Sequence, residues 1–365
     1  MTLVAGAARV PLPMPIGHPL MGYGARVGVA NDVHDPLHAR ALYLANGGAC
    51  LLVELDVCLL APGHAESVRA RLAERTGLAR EQVLVGSIHT HSGPETGLVA
   101  WIASQDPPPV TIALGDAAVE AGVRAHAAAT PARIGVGRAE ARIGRNRRLA
   151  DGPLDSEVLV VRVDRADASP LAVLYVYGCH PTVLGHDNLA YSADWPGAAA
   201  REIEASLPGA IALFALGAHA DVDPRTRGLL DLAIEGQSVG ASFAVMEALG
   251  REVGEAVAAA AARITTTADA PIAADTAWLS VPVHGGAVDA EREPRLEEER
   301  RAALRALAVD PATDPSVAEL FAWSHERTRD LPRDEARRRI AVARRYLRDR
   351  TAPRFAGGHT ASLGA

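Results

Sequence analysis

Three apolar runs, each ending in a histidine, constrain this chain more than any other feature. Val83-Leu84-Val85-Gly86 leads into His89-Thr90-His91, Leu171–Tyr177 into Cys179-His180-Pro181, and Ile211–Leu216 into His219-Ala220-Asp221. Short, uninterrupted aliphatic runs of this kind read as buried strands. In an extended chain, residues two apart point to the same side, so His89 and His91 face one site with backbones about 7 Å apart. Ser92-Gly93-Pro94 then forces a turn. Ligands of α/β proteins bind beyond the ends of strands, and histidine is the commonest metal ligand and general base. A single strand-end histidine is ordinarily a satisfied structural residue. Three of them, one in an HxH pair, point to a metal centre, with zinc first because imidazole-rich sites suit it.

The elements around these strands predict an α/β fold: mixed β-sheets with flanking helices. Residues 1–288 read as a single catalytic domain, 289–351 as a charged helical segment of it, and 352–365 as a frayed tail rich in Gly, Ala and Ser. Asn46-Gly47-Gly48 between two apolar runs is a hairpin signal. Helices are predicted over Gly63–Thr76, from Pro107 to about Ala129, over Pro196–Ser206 and over Ser238–Ala262, each with a Pro, Gly or Asp boundary signal or an Ala-rich body. Ile272–Val283 reads as a strand pair or one long strand. Glu291–Leu307, Pro315–Arg329 and Asp334–Arg350 read as charged helices. No internal repeat is visible.

Composition narrows the function. A net charge of −7 argues against a nucleic-acid binder. No apolar run approaches the roughly 18 residues of a membrane span. The first residues lack a basic stretch followed by an apolar one, so no secretory leader is read and a cytoplasmic location is expected. Cys50, Cys58 and Cys179 form neither a disulfide framework nor a CxxC motif. Aromatics are only 4% of residues, so Ala, Leu and Val must do the packing.

Several polar residues carry two readings. Glu54 and Asp56 share one face of an apolar strand. A carboxylate there needs a partner, and Asp56 is either a histidine's supporting group or an ordinary ion-pair residue. Asp194 either caps a helix or serves the site. Arg145, Arg147 and Arg148 are either a solvated loop or a clamp for a carbonyl or anion. The Pro/Gly-rich loop 11–24 either lies over the site or is a structural turn.

Seven stretches in order resemble the neutral/alkaline non-lysosomal ceramidases and their shorter bacterial relatives. They are Met21-Gly22-Tyr23-Gly24, Asp35-Pro36-Leu37-His38-Ala39-Arg40, Leu55-Asp56, His89-Thr90-His91-Ser92-Gly93-Pro94, Asn146-Arg147, His180 with Asn188 and Ser192-Ala193-Asp194, and Ala220-Asp221-Val222-Asp223-Pro224. The resemblance implies a zinc-dependent amidase cleaving a linear N-acyl bond, with a ceramide-like lipid or another small N-acyl amide as substrate. It implies His89 and His180 as zinc ligands. His91, Arg147, Asp221 and Asp223 are then the expected catalytic residues. The family's serine has Asp223 in its place, which favours direct attack by water. The family's late glutamate and tyrosine ligands have no clear counterpart, Tyr346 and the glutamates of 291–299 being the only late ones in reach. The expectation is therefore a domain shortened at its C-terminal end. The competing readings are an impaired fragment or binding domain lacking the full ligand set, and a metal-dependent esterase.

Overall fold

The computed structural model describes residues 2–23, 26, 28–102, 106–147, 149, 151–226 and 242–277. The expected helices beyond residue 289, with Tyr346 and Glu298, lie outside the described residues, as does Arg148. The chain divides into two compact units. One comprises residues 1–22, 29–97 and 107–276; the other comprises 23–28, 98–106 and 277–365.

In the first unit the strands are β1 (Val4–Pro11), β2 (Asp32–Val33), β3 (His38–Asn46), β4 (Gly48–Leu55), β5 (Val83–Ser87), β6 (Thr130–Glu140), β7 (Gly144–Asn146), β8 (Glu157–Arg165), β9 (Pro170–Tyr177), β10 (Ala190–Tyr191), β11 (Ile211–Leu216) and β12 (Val222–Pro224). The helices are α1 (Pro62–Thr76), then α2 (Leu98–Ile102) in the second unit, α3 (Pro109–Ala127), α4 (Asp194–Ser206) and α5 (Phe243–Arg263). Also in the second unit, the Arg26 guanidinium stacks over the Tyr23 ring at 4.9 Å. The mixed-sheet α/β expectation holds.

Eight strands form one sheet in the order β11-β9-β8-β6-β1-β3-β4-β5. The five inner pairings, from β9·β8 to β3·β4, are all antiparallel. The outermost pairs, β4·β5 and β9·β11, are parallel. A parallel pair needs a crossover connection, normally a helix, and α1 and α4 are those crossovers. The order is palindromic. Leaving aside α2 and the two- and three-residue strands, residues 4–127 run strand, strand, strand, helix, strand, helix, and residues 130–263 run the same way. The fold is thus a duplicated unit, with β1 and β6 adjacent at its centre, although the sequence shows no repeat. Each half places its last strand at an edge of the sheet. The sheet curls enough for β11 to approach β3, β4 and β5.

Local signals explain the elements. Gly47 takes φ +80° in the hairpin between β3 and β4, a conformation that a Cβ disfavours. Pro62 opens α1, and Gly77 closes it by donating its N–H to Ala73. Ser242 caps α5 by accepting the Val245 N–H at 3.2 Å. The scarcity of aromatics is met by close approach of small residues. A Cβ on Gly250 of α5 would lie 2.4 Å from that of Ala198 on α4, so the two helices pack nearly backbone to backbone. One apolar core lies between sheet and helices, and a smaller one, including Leu42, Val163 and Leu213, lies on the other face. The expected strand from Ile272 is not formed among the described residues. Ile272 makes only a single bridge to Gly47, because its neighbours Pro271 and Ala273-Ala274 offer no alternating apolar face.

Candidate metal centre

Curling of the sheet brings the carboxyl ends of β5, β9 and β11 together, and these are the ends that carry histidines. His89, His180 and His219 each offer a ring nitrogen within 4.8 Å of the other two. Ring centroids are 5.2 Å apart for His89 and His180, 4.9 Å for His89 and His219, and 4.4 Å for His180 and His219. Two ligands of one zinc stand about 3–4 Å apart, so the cluster has to tighten slightly around an ion.

The backbone sets each ring. His89 has φ +68°, a left-handed conformation that is uncommon outside glycine and collects at functional sites. Its N–H bonds to the Val57 carbonyl at 3.0 Å, and its Nδ1 lies 2.6 Å from the Cys58 carbonyl. His180 Nδ1 lies 3.0 Å from the Val222 carbonyl, and His219 Nδ1 3.0 Å from the Gly217 carbonyl. A carbonyl oxygen only accepts, so each Nδ1 carries the hydrogen and donates it. Each Nε2 is left with its lone pair, the tautomer a metal requires. Burial pushes all three imidazoles below the usual histidine range, His180 to about 3 with His219 beside it. They are therefore neutral at neutral pH. The residues fit a zinc ion.

Around this cluster stand the other expected residues. His91 lies edge-on to His89, with centroids 4.9 Å apart, and 5.9 Å from His180. The loop 11–22 presses on it. Met21 donates its N–H to the Gly93 carbonyl at 3.0 Å, and a Cβ on Gly22 would fall 2.4 Å from the His91 ring. Of its two readings, this loop takes the one that packs against the site. Asp223, 1% exposed, lies 3.6 Å from His180 Nδ1 and 3.6 Å from a terminal nitrogen of Arg147. Arg147 is near enough that its charge disfavours protonation of all three clustered histidines. Asp221 sits one step out. Its carboxylate accepts from Asn146 Nδ2 at 2.9 Å, and its carbonyl accepts the Arg147 N–H at 2.7 Å, fastening β12 to the chain carrying Arg147.

The remaining carboxylates hold the frame. Asp56 forms a buried ion pair with Arg40 at 2.6 Å and accepts the His38 N–H at 2.8 Å, the ion-pair reading rather than a histidine support. Asp194 accepts the N–H groups of Val183, Leu184 and Trp195, and so pins the loop after His180. Burial raises it to about 6 despite these three bonds. Thr90 donates to the Ser192 carbonyl and Asn188 to the Ser92 hydroxyl, locking the HTHSGP stretch to the Asn188–Asp194 loop. His219, expected at a strand end but not named among the site residues, stands in this cluster; the apolar run ending in histidine was the only signal for it.

A curled mixed sheet delivering histidines from three strand ends defines an α/β protein built around a metal-capable centre. Residues 14–233 match the family described as neutral/alkaline non-lysosomal ceramidase, N-terminal, and the chain belongs to that family. A neutral ceramidase of Oryza sativa subsp. japonica is 25% identical over 213 residues, 51% of this chain and 26% of that protein. A solved ceramidase complexed with C2 is similar at 21% identity and TM-score 0.62, over 72% of this chain and 44% of the other. The neutral ceramidase of Pseudomonas aeruginosa is similar at 15% identity and TM-score 0.63, over the whole of this chain and 76% of the other. This chain thus spans about a quarter of the rice protein. The two structures support the fold.

Proposed function

We propose that this chain hydrolyses a linear N-acyl bond, in ceramide or a ceramide-like lipid amide, with a zinc ion held by His89 and His180. The observation that carries this reading is the matched tautomer of those two histidines, each donating the Nδ1 hydrogen to a carbonyl and so keeping the Nε2 lone pair, in a cluster whose ring nitrogens lie within 4.8 Å of one another. Membership of the ceramidase family supplies the reaction class. Held by these residues, zinc would supply Lewis-acid chemistry: a water whose pKa falls to about 7 and a polarised amide carbonyl.

The chain's own groups do the rest. Arg147, beside Asp223, donates to the substrate oxygen as negative charge develops on it. His91 takes a proton from the attacking water and passes one to the leaving amine. Asp223 orients its neighbours and supplies a buried negative charge. Asp221, through Asn146 and the Arg147 backbone, holds the guanidinium in position. Among the described residues no helix is long and apolar enough to cross a membrane.

The test is zinc analysis of the purified chain together with a panel of N-acyl sphingoid and simpler N-acyl amides and their matched esters. Chelation should abolish amide cleavage and zinc should restore it. Zinc-loaded protein that cleaves esters but no amide would overturn the amidase reading. Protein that takes up no zinc would overturn the metal reading.

A further inference from the structure

We propose that His219 is the third protein ligand of the metal centre, so that the ion sits among three imidazoles drawn from both halves of the duplicated fold. The proposal rests on the metal reading above and adds a ligand to it.

Geometry is the first support. His219 lies closer to His180 and His89, by ring centroid, than those two lie to each other, at 4.4 and 4.9 Å against 5.2 Å. Tautomer is the second. Gly217, like Cys58 and Val222, presents a backbone carbonyl to Nδ1, so three separate backbone segments fix the same hydrogen on the same nitrogen. One such contact is ordinary, but three that free converging Nε2 lone pairs form the outer support of a metal site. Topology is the third. His219 follows β11 and His89 follows β5, the two edge strands that correspond in the palindromic sheet. Three protein ligands are what an open catalytic zinc site uses, with the fourth position free for water or substrate.

The alternative trio fits less well. Cys58, His89 and His91 also lie close together, but the Cys58 sulfur is 3.7 Å from Nδ1 of His89, the nitrogen already committed to the Cys58 carbonyl. An ion there would be on the wrong edge of the His89 ring. That leaves His91 for proton transfer. Three neutral ligands bring no negative charge to the ion. The buried Asp223 carboxylate, with no hydrogen bond to either oxygen among the described residues, stands behind His180 and supplies it.

The experiment compares the full chain with His219→Asn and His91→Asn. Zinc affinity is measured by competition with a chromogenic chelator, and the imidazole count by X-ray absorption of the zinc-loaded proteins. Loss of an outer supporting group costs about 10–100-fold in affinity. Loss of a ligand should therefore exceed about 100-fold in His219→Asn, with the count falling from three to two, while His91→Asn keeps three. Zinc bound by two imidazoles in the parent chain, or unchanged binding and count in His219→Asn, would overturn the proposal and leave the metal reading standing. A parent chain that binds no zinc would overturn both. Should His219→Asn fail to fold, His91→Asn still decides, since a count of two there would make His91 the third ligand.

Discussion

Asp223 stands 3.6 Å from Nδ1 of His180, with both carboxylate oxygens buried and without a hydrogen bond among the described residues. A buried carboxylate in that condition is costly unless a neighbouring charge compensates it. Arg147 is one such charge, and the ion proposed for the histidines would be another. Asp223→Asn should lower kcat by about 10²–10⁴, the range for losing acid/base assistance. A carboxylate attacking an amide would form a mixed anhydride, a poor route beside activated water. Single-turnover hydrolysis in ¹⁸O-water should therefore leave Asp223 unlabelled by mass spectrometry. Label in its carboxylate would mean that it had been acylated.

Gly22 lies against His91 at φ +112°. Any Cβ there is strained by that φ and would fall 2.4 Å from the imidazole. Gly22→Ala should push His91 out of line. A misplacement of about 1 Å can cost about 10²-fold in rate, so turnover should drop by up to that factor while zinc binding stays intact. Parallel loss of zinc would show that His91 belongs with the ligands.

Arg40 and Asp56 pair 2.6 Å apart inside the sheet. Arg40→Met leaves the carboxylate without its cation and should cost about 3–5 kcal/mol in urea denaturation. Arg40→Met combined with Asp56→Asn removes both charges yet keeps an acceptor for the His38 N–H. The double variant should recover most of the loss. A double variant as unstable as the single one would mean that packing, not charge, is what the pair supplies.

Glu54, opposite Gly86 on β5, is raised from 4.5 to about 8 by burial and by the Asp56 charge. In the folded chain it holds its proton up to about pH 8, whereas in the unfolded chain it loses it above 4.5. The unfolded state binds fewer protons in that window, so stability falls as pH rises through it. Each tenfold change in proton affinity is worth about 1.4 kcal/mol, so Glu54→Gln should stabilise the protein by a few kcal/mol at pH 8 and not at pH 4. Thermal unfolding of both proteins at the two pH values measures it. An equal effect at both would place the cause outside ionisation.

The sequence alone determined the α/β class, most of the described elements and the three strand ends that carry histidine. These are local properties: an apolar run sets a strand, Asn-Gly sets a hairpin, and Pro and Gly bound a helix, whatever the rest of the chain does. Asn46-Gly47-Gly48 turned where its composition required. Tertiary structure decided what the elements do together. Asp56 takes the Arg40 guanidinium and none of the clustered histidines, because strand register sets Arg40 opposite Glu54, one diagonal step from Asp56 across the hairpin. Asp194 points into the loop after His180 because its own φ of +56° turns it there. The duplication is invisible in the residues because it is stored in strand order and packing, which many aliphatic sequences satisfy equally. His219 joins His89 and His180 only because the curl of the sheet closes the space between its two edges. A sequence pattern records that a histidine ends a strand, but not which other strand end it will meet.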